Sequence, residues 1–139
     1  MSSRPDFDAL AGSLADDPRI AAAIVFGSCA RGRARPDSDL DLALLAVDDA
    51  AAQSLAADHF TLLGTLGALA GREIHLVDLA GVDATLRRAV FAHGVTLFDR
   101  SAGALARLRG ATLVEYLDGD YLRRVVDAAQ RRHLERAGG

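Results

Sequence analysis

Hydrophobic and polar positions fall into blocks along this 139-residue chain, and the spacing changes from block to block. Within Asp6–Asp16, Phe7, Leu10, Ala11 and Leu14 recur at helical spacing, which predicts an amphipathic helix ended by Asp17-Pro18. Ile20–Phe26 is continuously apolar and reads as a buried strand. A brief helical turn follows from Ser28 to about Ala34, broken by Pro36, and Leu40–Val47 forms the next strand. Ala50–Ala70 reads as one long helix with Leu55, Phe60, Leu63, Leu66 and Leu69 as its apolar stripe. Arg72–Leu79 predicts a third strand. Asp83 then caps a helix through His93, with Gly94 as its stop. Val95–Phe98 is a short strand, and Ala102 to about Arg136 is helical with interruptions at Gly110 and Gly119. The pattern predicts an α/β fold: a small mixed β-sheet with flanking helices, one domain over residues 1–139, and a helical C-terminal segment over about 102–136.

Half of the residues are hydrophobic, which implies a globular chain with its own core. No apolar run approaches the ~20 residues that a membrane span requires. The opening Met-Ser-Ser-Arg-Pro-Asp lacks the apolar segment of a secretory signal. The single cysteine, Cys29, has no partner for an internal disulfide, so a cytoplasmic location is expected and Cys29 reads as a small filler residue. A net charge of −3 argues against direct nucleic-acid binding. The charge is uneven: residues 1–99 carry 14 acids against 8 arginines, while residues 100–139 carry 8 arginines against 5 acids. The basic C-terminal segment reads first as a solvated helix face.

The candidate chemistry lies in residues 27–42. Asp39 and Asp41 are separated by Leu40 at the start of the predicted second strand. Side chains alternate along a strand, so both carboxylates share one face while Leu40 and Leu42 turn to the core. Two neighbouring carboxylates repel unless a cation lies between them, and hard oxygen ligands suit Mg²⁺, which commonly binds one or two carboxylates together with substrate phosphates. Gly27-Ser28, at the end of the first strand, supplies a turn where backbone can approach a phosphate closely. A phosphate cradle beside metal carboxylates points to chemistry on a nucleoside triphosphate.

Gly27-Ser28-x-Ala30-Arg31-Gly32 followed by Ser38-Asp39-x-Asp41 resembles the signature of the DNA polymerase β-like nucleotidyltransferases, and the short chain is similar to their minimal group. Ile74–Leu79 resembles that group's Val-Asp-Leu-Val-Asp-Leu strand, so the likeness extends over about Ile20–Asp99. The resemblance implies the polymerase β-like fold, ATP as substrate, two Mg²⁺ ions held by Asp39 and Asp41, and nucleotide contacts from Gly27, Ser28, Arg31 and Ser38. Arg33 and Arg35 read as surface charges.

The family pattern has a third acid where this chain has His75. Glu73 precedes it on the same face, with its Cα about 6.6 Å away at ordinary strand rise. Asp78 has the opposite parity and is expected to face away. Three readings stay open: Glu73 substitutes as the third acid, His75 acts as a general base, or catalysis is weakened. His59, His93 and His133 have no ligand-like spacing.

Members of the minimal group are similar to antitoxins paired with HEPN-domain ribonuclease toxins, some of which they inactivate by adenylylating a tyrosine. The resemblance therefore implies transfer of AMP from ATP to a hydroxyl of a partner toxin. Two other readings are an antitoxin that neutralises its partner by binding alone, and a nucleotidyltransferase acting on a small molecule such as an aminoglycoside. Homo- or hetero-oligomers are compatible with either partner-directed reading. On the C-terminal helix, Val114, Leu117, Tyr121 and Val125 form a stripe expected to pack on the body or to dock the partner, with packing favoured.

Overall fold

The computed structural model describes residues 7–27, 39–117 and 122–138. Helix α1, Phe7–Ala15, leads into strand β1, Ile20–Phe26, and β2, Leu40–Ala46, follows. Helices α2, Asp49–Ala57, and α3, His59–Ala70, connect to β3, Ile74–Asp78. Helix α4, Ala84–His93, strand β4, Val95–Asp99, and helices α5, Ala104–Tyr116, and α6, Leu122–Gly138, complete the order. The strands form one sheet in the order β3-β2-β1-β4. β1 pairs antiparallel with β2 and β4, whereas β2 and β3 are parallel, so the sheet is mixed. The parallel pair needs a crossover, and α2–α3 supplies it.

Strand alternation explains why both faces are covered. Val25, Leu40, Leu42, Leu44 and Ile74 join Leu10 and Leu14 of α1, Leu55 of α2 and Leu66 of α3 in one cluster. Ala22, Ile24, Ala43, Leu45 and Leu79 join Val90 of α4 and Leu105 of α5 in a second. Asp39 and Asp41 share parity with Ala43 and Leu45, so they continue the face covered by α4 and α5, at its end.

The long helix expected over 50–70 is divided at Asp58, whose φ of −93° and ψ of 9° leave the helical region. Asp48 caps α2, its carboxylate accepting the Ala51 N–H at 2.8 Å. Arg19 reaches across from the α1–β1 connection, donating from Nη1 to Ser54 Oγ and Asp58 Oδ2, both at 2.9 Å. The division breaks the expected stripe: Leu66 is buried, yet Phe60 is 85 % exposed and Leu69 is also exposed.

Helix α4 starts as expected, with Asp83 accepting the Leu86 N–H at 2.8 Å. Gly94 ends it for a different reason from a left-handed cap, because its φ is −77°. A Cβ there would collide with the Val90 carbonyl and with the Ile24 side chain. Close approach of α4 to β1 therefore requires glycine. Gly110 causes no interruption, since α5 runs through it. Packing on α4 holds that helix together: the Arg109 guanidinium lies 5.1 Å from the Phe91 ring centroid, and the Arg88 guanidinium 4.0 Å from that of Tyr116. Gly119 and Tyr121 lie outside the described residues. Val114 is 59 % exposed, so this part of the expected C-terminal stripe is not packed on the body.

Candidate active site

β1 and β2 place the acidic pair at the edge of the glycine turn. Phe26, the last residue of β1, is paired with Asp41. Gly27 then turns with φ +74°, in the left-handed region that glycine adopts without steric cost. A Cβ at Gly27 would strike the Asp41 carboxylate. The backbone where the glycine turn begins thus lies directly against one of the two acids. Ser28, Arg31 and Ser38, along with Cys29, Arg33 and Arg35, lie outside the described residues.

The parallel ladder between β2 and β3 supplies the third member. Leu40 is paired with Ile74 and Asp41 with His75, so the imidazole rises from the neighbouring strand beside the carboxylates. His75 Nε2 lies 3.3 Å from Asp39 Oδ2, and His75 Nδ1 lies 3.3 Å from Asp41 Oδ1. All three side chains reach solvent, with relative exposures of 41 % for Asp39, 29 % for Asp41 and 57 % for His75. Glu73 stands just before β3 and is exposed. Its backbone carbonyl accepts the Leu40 N–H at 2.9 Å, while its carboxylate forms no ion pair among the described residues. Asp78 faces away at the far end of β3, its Oδ1 accepting the Ala80 N–H at 3.2 Å. The structure brings Asp39, Asp41, Gly27 and His75 together, with Glu73 exposed one residue before β3.

Two carboxylates one strand repeat apart fit Mg²⁺, which takes its remaining ligands from water and substrate phosphates. Among the described residues no three ligating side chains form a preassembled metal cage.

A buried charged residue escaped the sequence reading. Arg87 of α4 is only 6 % exposed. Its Nε donates to Thr112 Oγ1 at 2.8 Å, and Nη2 donates to Glu115 Oε2 at 2.9 Å. Nη1 donates to the carbonyls of Ala80 and Val82 at 3.1 and 3.3 Å. This guanidinium ties the β3–α4 turn to α5, on the side of the sheet that carries the acids. Nothing in its local sequence distinguished it from the exposed arginines. His59 is also outside the acid group, lining a cleft with Leu44, Leu55, Leu62 and Leu76.

Comparison with known proteins agrees with this geometry. A family model described as polymerase beta nucleotidyltransferase matches residues 9–103. No curated protein matches the chain. Among solved structures, a chain of a toxin–antitoxin complex with AMP-PNP superimposes with a TM-score of 0.68 at 22 % identity, covering 90 % of this chain and 98 % of the other. A chain of the MntA–HepT toxin–antitoxin pair gives 0.61 at 22 % identity, over 89 % of this chain and 96 % of that one. A chain of the tri-AMPylated HEPN toxin of Shewanella oneidensis in complex with MNT antitoxin gives 0.59 at 20 %, again over 89 % and 96 %. These similarities reproduce the fold, and the family match extends through the glycine turn, both aspartates and β3. The chain belongs to the polymerase beta nucleotidyltransferase family.

Proposed function

We propose that this chain is a Mg²⁺-dependent nucleotidyltransferase that moves AMP from ATP onto a tyrosine hydroxyl of a HEPN-domain toxin, and so acts as the antitoxin of a pair. The observation that carries the reading is the meeting of Asp39 and Asp41 with the Gly27 turn at the open end of the sheet. The similar chains occur in toxin–antitoxin complexes, one with AMP-PNP and one with a tri-AMPylated toxin, which supports ATP as donor and a protein as acceptor.

Asp39 and Asp41 would hold two Mg²⁺ ions. When bound, such ions stabilise charge on the attacking and leaving oxygens of an in-line displacement. Gly27 keeps side-chain bulk out of the approach to Asp41, and Ser28, Arg31 and Ser38 complete the phosphate seat in this reading. The acceptor oxygen attacks the α-phosphorus, the bond to the β-phosphate oxygen breaks, and pyrophosphate leaves while the hydroxyl proton passes to water. Orientation and electrostatics carry such a transfer, with little covalent work by the protein. His75 takes the third position of the acid set, and Glu73 stays at its rim.

Incubation with α-labelled ATP, Mg²⁺ and the protein encoded by the neighbouring gene tests the reading. Label is expected on the partner and is lost in Asp39→Ala and Asp41→Ala, while their circular dichroism stays unchanged. Undiminished labelling by those variants would sink the assignment. A tight complex without label favours the binding-only antitoxin, the alternative to which a histidine in the third position lends weight. Label on an aminoglycoside, with none on protein, identifies a small-molecule enzyme.

A further inference from the structure

Helix α3, His59–Ala70, contains no aspartate, glutamate, lysine or arginine. Among the described residues, every other helix carries at least one. Its inner side has no use for charge: Leu66 is buried, and Leu62, Leu63 and Ala70 pack against the same cluster. Its outer side lacks that reason. Phe60, Thr61, Gly64, Thr65 and Ala68 are exposed, and Phe60 presents 85 % of its surface to solvent. A surface helix ordinarily turns charge outward, and a helix without charge on any side is ordinarily covered all round. The centres of protein interfaces show the same loss of charge together with enrichment in aromatic rings.

The order of side chains on this face selects what covers it. Positions four apart lie on one side of a helix, so Phe60, Gly64 and Ala68 form a single row. The row starts with a ring, continues with the two smallest residues, and has Gly64 at its midpoint. Phe60 and Ala68 lie about 12 Å apart along the axis at the ordinary helical rise. A second α3 laid antiparallel, with a two-fold axis at Gly64, sets each Phe60 over the Ala68 of the other copy. Each ring then occupies the space beside a small residue, which is the self-complementarity that a two-fold interface requires. Gly64 has no reason within its own fold, since a Cβ there meets nothing within 4 Å. Glycine inside a helix costs stability relative to alanine, whereas it lets a second helix axis come close.

We infer that the outer face of α3 is the interface of a homodimer in which two antiparallel α3 helices cross at Gly64. The inference does not depend on the reaction assigned to Asp39 and Asp41. Leu66 packs α3 onto the sheet face of Leu40 and Leu42, opposite the face that the acids continue, so pairing through α3 leaves both acid pairs open. One helix pair covers less than the roughly 800 Å² per partner of a standard interface, so a concentration-dependent dimer with Kd on the order of 10 μM is expected.

Sedimentation velocity of the full chain, across concentrations spanning that value, tests the inference. A monomer–dimer equilibrium is expected, weakened roughly tenfold or more in Phe60→Glu and in Gly64→Leu. Gly64→Leu keeps the fold, because its Cβ enters open space, and leucine is the better helix former. Its dilute monomer should therefore melt no lower than the native one. In a Cys29→Ser background, Phe60→Cys mixed with Ala68→Cys should form a disulfide between copies on oxidation, while Phe60→Cys alone should not, its two sulfurs being held too far apart. A chain that stays monomeric throughout, a dimer that either Phe60→Glu or Gly64→Leu leaves intact, or a disulfide formed by Phe60→Cys alone overturns the inference. So does a monomeric chain whose binding to the protein encoded by the neighbouring gene is abolished by Phe60→Glu, since that protein would then cover the face.

Discussion

Two groups of charged side chains lie on the same side of the sheet and behave in opposite ways. Arg87 is buried, and each of its guanidinium nitrogens donates to a partner on α5 or the β3–α4 turn. Asp39, Asp41 and His75 remain partly exposed and meet across 3.3 Å. A buried charge is tolerated when its hydrogen-bonding capacity is met, and such a group stabilises the particular packing that satisfies it. A pair of like charges kept partly open to solvent contributes little to folding and stays accessible to a ligand. One face of the sheet thus holds a structural charge beyond the C-terminal end of β3 and the acidic pair at the opposite end of the strands, distinguished by burial.

The largest effect on stability should come from the buried group. Arg87→Met leaves the Ala80 and Val82 carbonyls and the Thr112 hydroxyl short of a donor, at an expected cost of about 3 kcal/mol. That corresponds to a drop of roughly 10 °C in Tm by calorimetry. Asp41→Asn at pH 8 removes one of two neighbouring like charges and should hold Tm within about 2 °C while eliminating transfer. Equal losses of stability in the two variants would erase the contrast.

Gly27→Ala tests where the two roles touch. The positive φ alone is expected to cost about 1 kcal/mol, measured by urea unfolding. Collision of the new Cβ with the Asp41 carboxylate should in addition weaken Mn²⁺ binding. Unaltered metal binding in that variant would separate the turn from the acids.

The smallest expected effect concerns acid stability. A hydrogen bond from the Arg19 side chain, ahead of weaker contributions, holds the Asp17 carboxyl below its ordinary value of 3.8. Because the folded pKa is depressed, its stabilising contribution is complete above pH 3.8 and is lost as pH falls through the lower folded value. Asp17→Asn should therefore flatten the acid limb of a Tm-against-pH profile below pH 3.8 and leave transfer near neutral pH unchanged. An unchanged acid limb would count against this linkage.

Much of the frame was legible along the chain. The continuous apolar run of β1, the Asp83 cap of α4 and the shared face of Asp39 and Asp41 are local patterns, set by strand alternation and by hydrogen bonding within a few residues. The division at Asp58 was not legible, because Arg19, distant in sequence, takes part in it. Gly110 misled as a breaker because α5 gains more from packing on α4 than glycine costs it.

The order of residues determined by itself that two carboxylates would project side by side just after a glycine turn, since a two-residue period leaves strand side chains no other choice. It also placed His75 on the strand face that Glu73 shares. Only tertiary structure decided that this histidine stands against both acids, and that Arg87 lies buried among carbonyls. Both outcomes depend on which strand pairs with which and in what register, and those pairings are settled by distant segments burying their apolar faces together, information that no local spacing contains.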